Sequence, residues 1–369
     1  MFTRNFYNLK IFHFVVIGIC GYKFFVDLNQ FFLHPPDFKI EAHIVESLKR
    51  LQFLKNSLTN FSSFIQPNPE IAIVIISSER DYEGVNLDYP FQTVGTLFLE
   101  MKHTKKKFGF LFCNTTYKVN DYLGSLDSLI GLPYIYKFTN ILATNDKQGR
   151  WQKELLDYIS CLVEAKKRYP YTKYFLFNED DGLIINGFYD SLNNVVSQID
   201  FLSLQDKRQR RKISHVKLFH PLRLRKIPWF IYLLVVPILF LSIVKMISFY
   251  FSFPISKLFL LATFLLSFSF LFGLGPNKVG FLHYAITNNI ALVNQESCCT
   301  VSILFPLYAL DETIQYLIKE SKISIETGIY RAKDTILDEL PLKTDMDVLM
   351  TEFNLVEHIG MFSTKKKNS

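Results

Sequence analysis

Apolar positions along the chain fall into two spacings. Consecutive apolar residues at 71–76 (Ile-Ala-Ile-Val-Ile-Ile), 108–113 and 174–177 predict strands buried on both faces of a parallel sheet, with a third-strand candidate at 134–138. Apolar residues at helical spacing predict one or two helices over 37–66, through Ile44, Leu48, Leu51, Leu54 and Leu58. Further helices are predicted at 90–103, 151–168 and 187–196, with breaks at Pro67-Asn68-Pro69 and Pro170. Strand and helix alternate, so the fold class is α/β with a mainly parallel sheet. Ligands of such sheets sit beyond the carboxyl ends of the strands, which here carry the loops 77–82 and 179–182. Later in the chain, 279–293 mixes strand-like apolar residues with His283, and 301–306 is another strand. A helix opens at Asp311 and Glu312 and runs to about residue 319, and 345–353 reads as helical. The tail 365–369 is polar.

Three apolar runs are of another kind. Residues 11–22, flanked by Arg4, Lys10, Lys23 and Asp27, predict an uncleaved signal anchor spanning 11–33, favoured over a cleaved signal peptide because no small-x-small cleavage site follows. The runs 229–244 and 258–274, separated by a segment holding Lys245, Pro254 and Lys257, predict a transmembrane helical hairpin. A hairpin returns the chain to the side it left, so the flanking parts form one domain. The predicted organisation is a tail and N-terminal membrane anchor helix (1–36), a first domain part (37–227), the hairpin (228–276), and a second domain part with the tail (277–369).

Composition agrees with membrane segments. The chain is 49 % hydrophobic, with 37 Phe and 19 Tyr. The net charge of +7 comes largely from local basic runs, and no aromatic-interleaved RNA-binding pattern accompanies them, so nucleic acid is not a partner. The densest run, 207–226, would contact phosphates of lipid headgroups or of a lipid-anchored substrate, and on the lumenal side it opposes the positive-inside tendency. The five cysteines (Cys20, Cys113, Cys161, Cys298, Cys299) match no zinc spacing, and in an oxidising compartment they allow one or two bridges. Two acceptor sequons, at Asn60 and Asn114, matter if their segments are lumenal.

Candidate chemistry centres on Tyr174-Phe175-Leu176-Phe177-Asn178-Glu179-Asp180-Asp181-Gly182, an apolar strand that climbs into three carboxylates and stops at a glycine. Adjacent acids repel unless a cation sits among them. Mg²⁺ or Mn²⁺ takes one or two carboxylates plus substrate phosphates, so the pattern points to a metal–diphosphate site. A solvated acidic turn is the simpler alternative.

The anchor, the α/β domain with Glu179-Asp180-Asp181 at a strand end, and the inserted tandem hairpin together resemble the post-GPI-attachment GalNAc-transferase family. The closing Asn354-Leu355-Val356-Glu357-His358-Ile359-Gly360 is similar to the end of N-acetylglucosaminyltransferase-IV type enzymes. The resemblance implies a GT-A-like domain, membrane-embedded in the Golgi with its catalytic part lumenal. It also implies inverting transfer of N-acetylgalactosamine from UDP-GalNAc to the glycan of GPI-anchored proteins. It makes Glu179, Asp180 and Asp181 the donor-binding acids, usually acting through a divalent cation. Asp181 is the first choice of metal ligand, and His358 a further ligand or diphosphate contact. Arg80 is a candidate nucleotide contact. Inversion needs a general base, for which Asp311, Glu312, Asp345 and Asp347 are candidates and Glu312 is chosen. Two alternatives stay open: a different UDP-sugar transferase, such as an N-glycan GlcNAc-transferase, and a membrane scaffold without enzymatic activity.

Overall fold

The structure is a computed structural model. It describes residues 36–57, 65–78, 87–104, 107–115, 134–136, 147–205, 212–221, 237–238, 241–246, 248–250, 252, 256–296 and 299–360. The chain divides into two units. One comprises Met1–Ala42 and Arg225–Ile286, the other His43–Leu224 and Thr287–Ser369.

In chain order the elements are α1 (Pro36–Ser57), β1 (Ile71–Ser77), α2 (Tyr89–Thr104), β2 (Gly109–Asn114), β3 (Tyr134–Tyr136), α3 (Lys147–Arg168), β4 (Tyr174–Glu179) and β5 (Gly182–Ile184). There follow α4 (Phe188–Gln205), β6 (Lys212–Lys217), α5 (Lys257–Thr287), β7 (Leu292–Asn294), β8 (Ser302–Pro306), α6 (Leu307–Thr327), α7 (Lys333–Lys343), β9 (Met346–Thr351) and β10 (Val356–His358).

The second unit is built on an 8-stranded sheet of order β3-β2-β1-β4-β8-β6-β9-β7, with a 2-stranded sheet β10-β5 beside it. β1 lies parallel to both β2 and β4, β2 is parallel to β3, and β6 is parallel to β9. β8 runs antiparallel between β4 and β6, and β7 closes the edge antiparallel to β9. Strands from both sides of the 225–286 segment therefore share one sheet. The alternation of side chains along the strands sorts the covering helices. Val74, Leu111, Phe175, Phe177, Ile303 and Phe305 pack into one core with residues of α3, α6 and α7. Their neighbours face α2 and α4, as where Phe98 meets Phe110 at 5.5 Å and Phe108 meets Tyr189 at 5.4 Å. A disulfide, Cys113–Cys161, fastens β2 to α3.

Several predicted elements change. Residues 345–353, expected to be helical, contain β9, because Met346, Val348 and Met350 are buried alternately with the partly exposed Asp347 and Leu349. That period of two fits a half-buried strand pairing with β6. Residues 279–293 divide into the end of α5 and the short β7. Within the basic stretch 207–226, residues 212–217 are β6, whose Lys217 is fully buried, so that part is no lipid-facing surface. The anchor 11–33 and most of the run 229–244 lie outside the described residues. Among the residues whose side chains are described, no helix is long and apolar enough to cross a membrane. The backbone of α5 is nevertheless continuous helix over 31 residues.

Candidate active site

The acidic triplet is the turn between β4 and β5, and its backbone is tied on three sides. Glu179 N donates to Val301 O (2.7 Å), Asp180 N to Ile76 O (3.0 Å), and Ile359 N to Asp181 O (2.9 Å). From inside, the Asn178 amide donates to Glu179 O (2.9 Å) and Gly182 O (2.7 Å). Thr93 of α2 donates its hydroxyl to Asp180 O at 2.7 Å. A backbone held this way fixes where each carboxylate points.

The three acids diverge, and each meets a different partner. Glu179, on the α3/α7 face, lies 2.7 Å from Lys333 Nζ. Asp180 turns under β1, where its carboxylate accepts from Ser77 Oγ (2.8 Å) and Ser78 N (3.3 Å). Asp181, 2 % exposed, sets Oδ2 3.1 Å from His358 Nε2, which is 37 % exposed. The triplet thus splits its charges among three different surroundings.

The β5–β10 pairing places His358 opposite Gly182 and so delivers it to Asp181. Its ring lies 5.6 Å from that of Phe219. Gly360 completes this corner. A Cβ there would fall 1.9 Å from Asp181 Oδ2 and 2.9 Å from His358 Nε2, so the backbone itself packs against the carboxylate.

On the other side of the turn, Lys333 opens α7. Its ammonium is buried between Glu154 (2.6 Å) and Glu179 (2.7 Å), 3.9 Å from Asp334 and 5.7 Å from the centre of the Tyr158 ring. Burial acts to lower its pKa, but Glu154 and Glu179 outweigh it and hold Lys333 well above the ordinary lysine value. Burial pushes the Glu179 carboxyl up, with Lys333 pulling it down and Asp181 adding to the rise. Asp334, 39 % exposed, accepts a hydrogen bond from Thr300 Oγ1. One turn on, Asp338 pairs with the buried Lys217.

Of the predicted residues, the structure brings Asp181 and His358 together, places Glu179 beside them against Lys333, and puts Asp180 inside. Arg80 lies outside the described residues. Glu312 is elsewhere: Pro306, just before α6, pairs with Tyr174, the first residue of β4, so Glu312 sits at the amino edge of that strand. There it is exposed and ion-paired with Lys212 at 2.8 Å. Asp311, paired with Lys166, and Asp347, opposite Ile213 at the start of β6, occupy the same wrong edge, and Asp345 directly precedes β9 there. The sequon residue Asn114 is buried, and Asn60 is outside the described residues. Sequence reasoning missed Lys333, Asp334, Glu154, Thr93 and Gly360, and had Ser77 only as the first residue of the ligand-facing loop 77–82. Of the missed residues only Gly360 carried a signal, as the last residue of the quoted closing run. Among the described residues no group of three or more His, Cys, Asp or Glu is arranged to hold a metal ion.

A family model described as GPI-N-acetylgalactosamine transferase PGAP4 matches residues 71–357. The chain belongs to this family. The matched span starts at the first residue of β1 and ends within β10, and so encloses the sheet, the acidic turn and the 225–286 segment. The protein is a glycosyltransferase whose reaction delivers N-acetylgalactosamine to GPI. The carboxyl ends of β1 and β4 form the edge at which α/β sheets bind their ligands. Among the described residues, the buried Asp181 and the partly exposed His358 meet at that edge.

Proposed function

We propose that the chain is a Golgi membrane enzyme that takes N-acetylgalactosamine from UDP-GalNAc and transfers it, with inversion, to the glycan of GPI-anchored proteins. We assign the transfer to a GT-A-like lumenal domain. The observation that carries the reading is the convergence of Asp181 and His358 at the carboxyl edge of the parallel strands, in a corner kept open by Gly360.

The donor set fits a divalent cation, Mn²⁺ or Mg²⁺. The Asp181 carboxylate is the ligand such an ion takes when diphosphate and water complete its shell, and His358 Nε2, 3.1 Å from it, is near enough to add a nitrogen ligand, which suits Mn²⁺ better than Mg²⁺. The local charge also calls for one: Glu154, Glu179, Asp180, Asp181 and Asp334 outnumber the ammonium of Lys333, and a diphosphate is itself anionic. Asp181 and His358 would hold the ion, and its charge would stabilise the UDP leaving group as the sugar–phosphate bond breaks. Asp334 replaces Glu312 as the general base. It lies at the site edge, is partly open to solvent, and is oriented by Thr300 to receive the proton of the acceptor hydroxyl.

The membrane reading rests on α5. Its 31 residues extend about 46 Å at 1.5 Å per residue, and from Leu258 to Asn277 the sequence carries no charge. Within the second unit, the chain departs after the last residue of β6 and resumes before Leu292, which pairs with the last residue of β9. Both points lie on the carboxyl edge that carries Asp181. The Cys113–Cys161 disulfide supports an oxidising, lumenal setting.

The test is a transfer assay with full-length enzyme in membranes, a panel of UDP-sugars and a GPI-anchored acceptor. UDP-GalNAc should label the acceptor, and Asp181→Ala should not, while its melting temperature stays close to wild type. A preference for UDP-GlcNAc would redirect the assignment, and transfer retained by Asp181→Ala would overturn the site.

A further inference from the structure

A buried lysine at the first position of α7 is an expensive arrangement. The amino end of a helix carries a partial positive charge that favours anions, so an ammonium there is opposed by the helix as well as by burial. The residue before it, Ala332, makes no side-chain cap that would soften the effect. Replacing buried ion pairs with apolar groups is often neutral or stabilising, so stability alone is a weak reason for Lys333. Its contacts suggest another. Lys333 gathers carboxylates from α3 (Glu154) and β4 (Glu179), and Glu179 lies two residues before Asp181, the acid assigned to the donor.

We propose that Lys333 is a positioning residue for the transfer: by capturing Glu179 it keeps a second, unneutralised carboxylate away from the diphosphate position beside Asp181. The inference rests on the donor site proposed above and adds a residue that touches no substrate. The strand geometry supports it. Glu179 and Asp181 are two residues apart on a backbone tied at Glu179 N, Glu179 O, Asp180 N and Asp181 O, so a change in where the Glu179 carboxylate sits comes from its side chain. Lys333 reaches Glu179 from its own face of the sheet, with Tyr158 beneath the ammonium. Glu154, 41 % exposed, is solvated whether or not Lys333 is present, so Glu179 is the charge that depends on the lysine.

The experiment measures UDP-GalNAc affinity of the full-length enzyme by titration in Mn²⁺, alongside its melting temperature. Lys333→Met should weaken donor binding about tenfold or more, the effect of one added like charge at short range in a partly buried site. Lys333→Arg, which keeps the charge, should stay within about threefold of wild type. The deciding variant is the double Lys333→Met with Glu179→Gln. Removing both charges should restore affinity to within about threefold, which a purely structural role for Lys333 would not do. Wild-type affinity in Lys333→Met overturns the proposal. So does a folded double variant that still binds tenfold weaker. If Lys333→Met does not fold, the double variant alone decides by the same thresholds. Failure of the wild-type enzyme to bind UDP-GalNAc would instead refute the donor site.

Discussion

Gly360→Ala tests the corner at which Asp181 meets His358. The added Cβ would stand 1.9 Å from Asp181 Oδ2, 2.9 Å from its Cγ and 2.9 Å from His358 Nε2. Ordinary carbon–oxygen contact is about 3.3 Å, so the carboxylate or the strand end must retreat by more than about 1 Å. Gly360 is not among the positive-φ glycines, so alanine suits its backbone and the clash is the whole perturbation. Misplacing a reacting group by about 1 Å lowers rates about a hundredfold, or roughly 2.7 kcal/mol of transition-state stabilisation. Overpacking at this partly buried position should cost about 1–3 kcal/mol of stability. The assay is kcat/KM for UDP-GalNAc together with the melting curve. Gly328→Ala is the control: its φ of 67° disfavours alanine, yet nothing lies within 4 Å of the added Cβ. It should lose about 1 kcal/mol of stability with no change in kcat/KM. Wild-type kcat/KM in Gly360→Ala would refute the assignment of this corner to the donor.

Further outcomes follow from the same contacts. Asp180→Ala should act on the fold, since it removes the acceptor of Ser77 Oγ and Ser78 N; a loss of about 3 kcal/mol in urea melts is expected. Glu312→Ala should leave transfer rates unchanged and shift stability by less than about 0.5 kcal/mol, as its exposed pair with Lys212 contributes little. His215 is held well below the ordinary histidine pKa by burial and then by Lys217. The unfolded chain therefore takes up its proton first as pH falls below about 6.5, and stability drops by up to about 1.4 kcal/mol per pH unit from that group. His215→Phe should flatten this part of the stability profile. Cys161→Ala opens a loop of sequence separation 48, and the thermal melt should report a loss of about 4 kcal/mol.

The parallel half of the fold was legible because its strands are continuous apolar runs. Ile71–Ser77, Gly109–Asn114 and Tyr174–Glu179 stand within two residues of their predicted limits. The later half was harder because its elements mix charge with burial. β6 spells Lys-Ile-Ser-His-Val-Lys, and its last lysine is buried with its ammonium paired to Asp338 of α7. α7 has little amphipathic pattern and carries Pro341, so nothing local marks it as the helix that places Lys333 and Asp334 at the site. The acidic turn itself stood out, as did His358, but the different fates of Glu179, Asp180 and Asp181 depend on partners about 100 or more residues away in sequence. Glu312 stands apart from the acidic turn for a topological reason. β8 is antiparallel to β4, which sends the start of α6 to the edge away from the turn.

The most direct measurement is calorimetric titration of UDP-GalNAc into the purified full-length enzyme, with Mn²⁺ and with chelator, for wild type and Asp181→Asn. The expected result is binding by wild type in Mn²⁺, weakened at least about a hundredfold by chelation or by Asp181→Asn with the fold intact. Equal affinity in the folded Asp181→Asn variant would contradict the placement of the donor at this turn.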